Sequence, residues 1–155
     1  MASYFISQDY DAPADFIWSV LTDFTSWPQW FPQVSAVRFA NGDAPAAGAE
    51  LIASGEDPSV WTRWQIVEWA APSLLVCEHI DSNSPAAPHV HAAYLQFALA
   101  DDADGCTLEV EIGAQGRGIV SDFFVGVTLG SEVRRLLPRL VDAFSDHVVR
   151  AAAGR

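Results

Sequence analysis

The stretch from Ala12 to Pro32 reads A-P-A-D-F-I-W-S-V-L-T-D-F-T-S-W-P-Q-W-F-P and carries three of the chain's six tryptophans. Proline stands near both ends and again at Pro28. Pro13 suits the first position of a helix, where a missing N–H costs nothing. Asp15 then falls in the first turn, where negative charge meets the positive end of the helix dipole. Phe16, Ile17, Val20 and Leu21 cluster on one helical face, and Trp18 extends it. Asp23, Thr25 and Ser26 break the pattern. Pro28 can open a second short helix, and Pro32 discourages its continuation. Two helices this short are not stable alone. Something large must pack them.

At 155 residues, with half of them apolar and 18% charged, the chain is long and greasy enough for one real core. Residues 1–152 read as a single domain and 153–155 as a frayed tail. No apolar run approaches the ~18 residues that a membrane span needs. The start lacks a basic segment followed by an apolar one, so no signal peptide is read and a cytoplasmic location is expected. The net charge is −12, and all eight basic residues are arginine. That balance argues against nucleic acid or anionic lipid as a partner. A homodimer is an allowed assembly. Cys77 and Cys106 show no metal or redox spacing and read as reduced structural thiols.

The first strand is read over 4–10, followed by the tandem helices. Further strands are expected at Val34–Ala40, Glu50–Gly55, Val60–Trp69, Leu74–Asp81, His89–Leu99 and Thr107–Ala114, separated by Gly-, Pro- and Asp-rich turns. Beyond Gly118 the chain reads as helical. Leu129, Val133, Leu136, Leu137, Leu140, Val141, Phe144 and Val148 keep a helical repeat, with Ser131, Arg135, Arg139, Asp142 and Asp146 on the wet face. Pro138 predicts a kink or loosened turn near Arg134. The fold class is therefore α+β: a curved antiparallel sheet of about seven strands around a long C-terminal helix, with two short helices after the first strand.

The string A-P-x-x-x-[IV]-W-x-V-L-x-D-F-x-x-W-P-x-W-x-P resembles the start of the SRPBCC (START-like) superfamily. Its members include the polyketide cyclase/dehydrase family and the helix-grip fold of the birch-pollen allergen. G-x-E-L at Gly48–Leu51, W-x-I-V-E-W at Trp64–Trp69 and G-x-T-L at Gly105–Leu108 are similar in order and spacing. The resemblance implies a helix-grip fold with a cavity between sheet and long helix, opening near the 82–88 loop. It also implies Trp27 and Phe31 as pocket positions. It leaves function open, because one fold serves cyclases, hydrolases, carriers and receptors.

The residues add their own indications. Gly126 and Gly130 fall near the apolar stripe of the long helix, which fits either vacated volume or close packing. On strand His89–Leu99 the larger apolar residues hold odd positions, so His89, His91, Leu95 and Phe97 are placed inward. Leu75, Cys77, His79 and Asp81 share one phase of the preceding strand. His79 then lies roughly opposite His89 to His91. Three histidines near a cavity mouth suit proton transfer or polar contact, with His79 and His91 as the catalytic candidates. They are also compatible with a metal, or with no role at all. No cysteine or carboxylate completes a strong metal motif, and no metal is expected.

The strand Val60–Trp69 is ambiguous: either Arg63 points in and meets an anionic ligand, or Glu68 and Trp64 do. Trp27, Trp30, Phe31, Trp64, Phe97, Phe123 and Phe124 are candidate cavity lining. Asp122 (with Arg117) stands near the expected entrance, and Glu132 (with Arg134) flanks the stripe. No phosphate loop, dinucleotide fingerprint, nucleophile elbow or zinc-helix motif occurs, so no cofactor is expected. The expected partner is a hydrophobic small molecule. It is either cyclised or dehydrated by positioning and histidine acid–base catalysis, or carried unchanged.

Overall fold

The computed structural model describes residues 2–42, 44–83, 90–116 and 130–154, with backbone alone at residues 2, 90–92, 115–116 and 130–132. Its strands are β1 (Ala2–Tyr10), β2 (Ala36–Phe39), β3 (Glu50–Ser54), β4 (Trp61–Ala70), β5 (Leu74–Ser82), β6 (Val90–Asp102) and β7 (Gly105–Gly116). Two helical pieces, α1 (Ala14–Leu21) and a 3₁₀ helix (Phe24–Gln29), follow β1, and the long helix α2 (Gly130–Ala153) closes the chain. The seven strands form one antiparallel sheet in the order β1-β7-β6-β5-β4-β3-β2. The α+β, helix-gripping architecture expected from the residues is the one observed.

The core follows the sequence periodicities. On β6, Leu95, Phe97 and Leu99 are buried, as the odd-position alternation requires. They pair with Ile112, Val110 and Leu108 on β7. On α2, Leu137, Leu140, Val141, Phe144 and Val148 make the buried stripe. Burying such side chains stabilises the fold by ~1.5–3 kcal/mol each. Phe144 meets Trp30 at 4.8 Å between ring centroids and Tyr10 at 6.1 Å, both edge-on. Tyr10 also ties β1 to α2 through a 3.0 Å hydroxyl–hydroxyl bond with Ser145.

The tandem-helix segment packs against this core with two departures from expectation. Pro13 stands just outside α1 as its N-cap, in extended conformation, and its carbonyl accepts from the Phe16 and Ile17 amides. The missing side-chain cap comes from a distant residue: the Ala14 amide donates to Asp101 Oδ1 at 2.9 Å. Pro28 does not open the second helix but lies inside it. The helix begins at Phe24 because that ring is buried against Trp27, Phe39 and Trp69. The fixed φ of proline suits a 3₁₀ turn, whose short run loses little by one absent donor. Trp18 is core, packed edge-on against Trp69 at 5.0 Å.

Candidate functional site

An apolar cavity of about 280 Å³ lies between the sheet, the 3₁₀ helix and α2. Trp27 and Phe31 form one wall, the segment Pro32–Val34 a second, and Leu136 of α2 contributes from above. The sheet side comes from Val37 of β2, Leu51 and Ala53 of β3, and Thr62 and Trp64 of β4, with Cys77 and Leu95 beyond. These sheet positions share one face because they are cross-strand partners: Val37 with Ala53, Ala53 with Thr62, Leu51 with Trp64, and Cys77 with Leu95.

The aromatic wall is held rigidly. Trp27 stacks on Phe31 with centroids 5.3 Å apart and planes 14° from parallel. Its indole N–H donates to the Leu21 carbonyl at 2.8 Å, which fixes the ring and satisfies the end of α1. Phe97 meets Trp27 from behind at 5.9 Å. Trp30, only 2% exposed, packs on Trp27, Phe31 and Phe144. Trp27, Phe31, Trp64 and Leu95 thus line the cavity, whereas Trp30 and Phe97 stand behind its wall.

The β4 ambiguity resolves in favour of Trp64. Arg63 is the partner of Ile52 and Asp81 on the opposite face of the sheet, so it faces away from the cavity. Glu68 does not accompany Trp64 inward. A register shift between Ile66 and Glu68 leaves Val67 as an extra residue, and both Val67 and Glu68 are exposed.

His79 is half-buried and pairs with Trp64 across β4 and β5. Its ring meets the Trp64 ring edge-on at 5.6 Å; Trp64 lines the cavity and His79 does not. Burial holds the His79 imidazole below its ordinary pKa, while the neighbouring Asp81 charge pulls the other way. The β5–β6 ladder runs from Leu74–Ala98 to Glu78–Tyr94 and ends one residue before His79, so among the described residues it carries no pairing of His79 with β6. His91 falls at a register shift between Val90 and Ala92. The side chains of His91 and Glu132 lie outside the described residues, as do His89, Arg117, Asp122, Phe123, Phe124 and Gly126.

Cys77 is the one ionisable side chain on the described wall, and burial pushes its thiol up to about 12. Both cysteines are free and buried. Among the described residues, no group of His, Cys, Asp and Glu has the arrangement to hold a metal ion. No helix among them is long and apolar enough to cross a membrane. Sequence reasoning missed Val37, Leu51 and Ala53, whose small or branched side chains carry no chemical signal. The G-x-E-L motif around Leu51 was the available pointer to that wall.

Several solved structures share this fold. A START superfamily protein from Mycobacterium smegmatis superposes with a TM-score of 0.66 at 17% identity, covering 97% of each chain. The di-domain ARO/CYC protein BexL, from the BE-7585A biosynthetic pathway, gives 0.64 at 17% identity over 95% of this chain and 48% of its own. The major latex-like protein 151 of Panax ginseng gives 0.72 at 10% identity over 94% of this chain and 96% of its own. No curated protein sequence matches. The family model described as "polyketide cyclase / dehydrase and lipid transport" matches residues 1–150. With a gripped helix, an aromatic-walled cavity and that match over nearly its whole length, the chain belongs to the polyketide cyclase/dehydrase and lipid transport family.

Proposed function

We propose that this domain holds an apolar, planar small molecule of the aromatic or polyketide-like class in its cavity and promotes its cyclisation or dehydration. The observation that carries the reading is the apolar cavity with its stacked Trp27–Phe31 wall. Flat ring faces at fixed separation select a planar guest and hold a flexible chain in a folded shape. Holding reacting carbons close supplies much of the acceleration for ring closure. The proton transfers fall to His79, the cross-strand partner of Trp64, and to His91. An imidazole held below its ordinary pKa is neutral at pH 7 and able to accept a proton.

A second reading, a carrier or sensor that leaves its ligand unchanged, is favoured by a specific feature. The described wall carries no histidine, carboxylate or arginine. The two readings share the cavity and differ in chemistry. Incubation with linear poly-β-ketone analogues, followed by mass spectrometry of the extracted small molecule, separates them. A ring-closed or dehydrated product, lost in the double variant His79→Ala, His91→Ala, supports the enzyme. Recovery of the unchanged analogue in stoichiometric complex supports the carrier.

A further inference from the structure

The outer face of the sheet carries an arrangement unrelated to the cavity. Arg38 on β2 pairs with Ile52 on β3, and Ile52 pairs with Arg63 on β4. The two arginines therefore stand on the same face, one strand apart, with a single isoleucine between them. Two strand spacings put their Cα atoms roughly 10 Å apart, within reach of a common point for two long side chains. Ser54 and Trp61, themselves cross-strand partners, lie along the same face. Together with Pro58 these residues line a recess of about 350 Å³.

Two guanidinium groups that line one recess repel one another unless an anion joins them. The nearby carboxylates do not fill that role. Glu50 forms an ion pair with Arg63 at 4.0 Å but does not line the recess that Arg63 shares with Arg38. Asp81 is the cross-strand partner of Arg63, but its Oδ1 accepts from the Ser82 amide at 2.8 Å. Neither carboxylate lines the recess. The Arg63 Nε–H is buried and has no hydrogen-bond partner. A planar fork with an unfilled donor beside a second fork suits the tetrahedral oxygens of a phosphoryl group. The Ser54 hydroxyl adds a donor. The Trp61 ring offers a flat apolar wall to whatever carries the phosphate.

We propose that the recess between Arg38, Arg63, Ser54 and Trp61 is a binding site for a phosphate monoester on a flat or aromatic carrier. It lies on the opposite face of the sheet from the cavity. Of the residues lining it, Ser54 at the end of β3 also borders the cavity, and Arg38, Ile52, Pro58, Trp61 and Arg63 do not. Attraction has to be local, because the chain as a whole carries −12 and repels anions.

The test is an NMR titration of the protein with phenyl phosphate, following the arginine Nε–Hε signals, with phenol and inorganic phosphate as the two halves of the probe. The expected result is a saturable shift of the Arg38 and Arg63 signals. Arg63→Gln and Arg38→Gln should each weaken the apparent affinity about tenfold, as expected for loss of a charge-assisted bond. Inorganic phosphate should bind more weakly than phenyl phosphate, and phenol should leave both signals unmoved. Ala53→Trp, which alters only the cavity face, should leave binding intact. Unmoved arginine signals, or an affinity in either glutamine variant equal to that of the parent protein, would overturn the site.

Discussion

Trp27 and Phe31 lie nearly parallel at 5.3 Å, and the Trp27 indole is pinned to the Leu21 carbonyl by a 2.8 Å hydrogen bond. One residue thus joins the end of α1, the 3₁₀ helix and the cavity wall. Trp27→Phe keeps most of the stacking surface but leaves a buried carbonyl unpaired, at a cost of about 1–3 kcal/mol. Trp27→Ala should cost about 3–5 kcal/mol, because it also opens a void against Phe97. Urea denaturation of both variants checks the order. Equal stability of Trp27→Phe and the parent protein would deny the hydrogen bond a structural part.

His79 supplies a pH dependence whose sign is fixed by its environment. Its pKa in the folded chain lies below the ordinary value of 6.5, chiefly through burial. The unfolded chain therefore takes up a proton first as the pH falls. The associated stability is present above pH 6.5 and is lost as pH drops through the folded value. His79→Gln should flatten the slope of stability against pH on the acid side. Asp81→Asn should lower the His79 pKa further, since the Asp81 charge now raises it. Imidazole NMR titration measures both effects, and an upward movement in Asp81→Asn would contradict the assignment.

Cys77 provides the alkaline counterpart. Its thiol is raised from 9.0 to about 12 by burial, so the folded chain keeps the proton while the unfolded chain loses it. Stability tied to Cys77 is complete below pH 9 and declines as the pH rises towards 12. Cys77→Ala removes this contribution, though it also enlarges the cavity. In native protein at pH 8, Cys77 should resist iodoacetamide and react only after unfolding. Rapid native alkylation at Cys77, located by peptide mass mapping, would refute its burial.

The β6–β7 pairing contains a contact that only glycine permits. A Cβ at Gly113 would come within 2.3 Å of the Tyr94 ring, which lies across it from the neighbouring strand. Tyr94 is further tied to Glu111 and Ser3 by side-chain hydrogen bonds. Gly113→Ala should destabilise by about 1–3 kcal/mol, the range for overpacking. Tyr94→Ala in the same chain should recover part of that loss. A double-mutant cycle on urea midpoints reads the coupling, and strict additivity would contradict the contact.

The sequence made some of these relationships legible and hid others. The alternation of Leu95, Phe97 and Leu99 on β6 was readable because that strand keeps one phase through its pairing with Leu108, Val110 and Ile112. The run W-T-R-W-Q-I-V-E-W was not, because Trp64 and Trp69 both contribute to the interior from opposite parities. The extra residue at Val67 switches the phase between them, and no local residue preference announces a bulge there. The same limit applies to the histidines. Counting back along β6 cannot carry a side-chain phase past the register shift at His91. Trp27 and Trp30 differ by three positions, yet one lines the cavity and the other backs it. That division depends on where Phe144 of α2 arrives, a contact more than 100 residues distant in sequence.

The central claim is that the cavity behind Trp27 and Phe31 holds an apolar planar molecule. Native mass spectrometry of the freshly purified protein, beside Ala53→Trp, tests it most directly. Ala53 lines the cavity on β3, and a tryptophan there would occupy much of its 280 Å³. The expected result is a co-purified or added apolar aromatic molecule retained by the parent protein and lost from a folded Ala53→Trp variant. Failure of the parent to retain any such molecule, or equal retention by the filled variant, would contradict it.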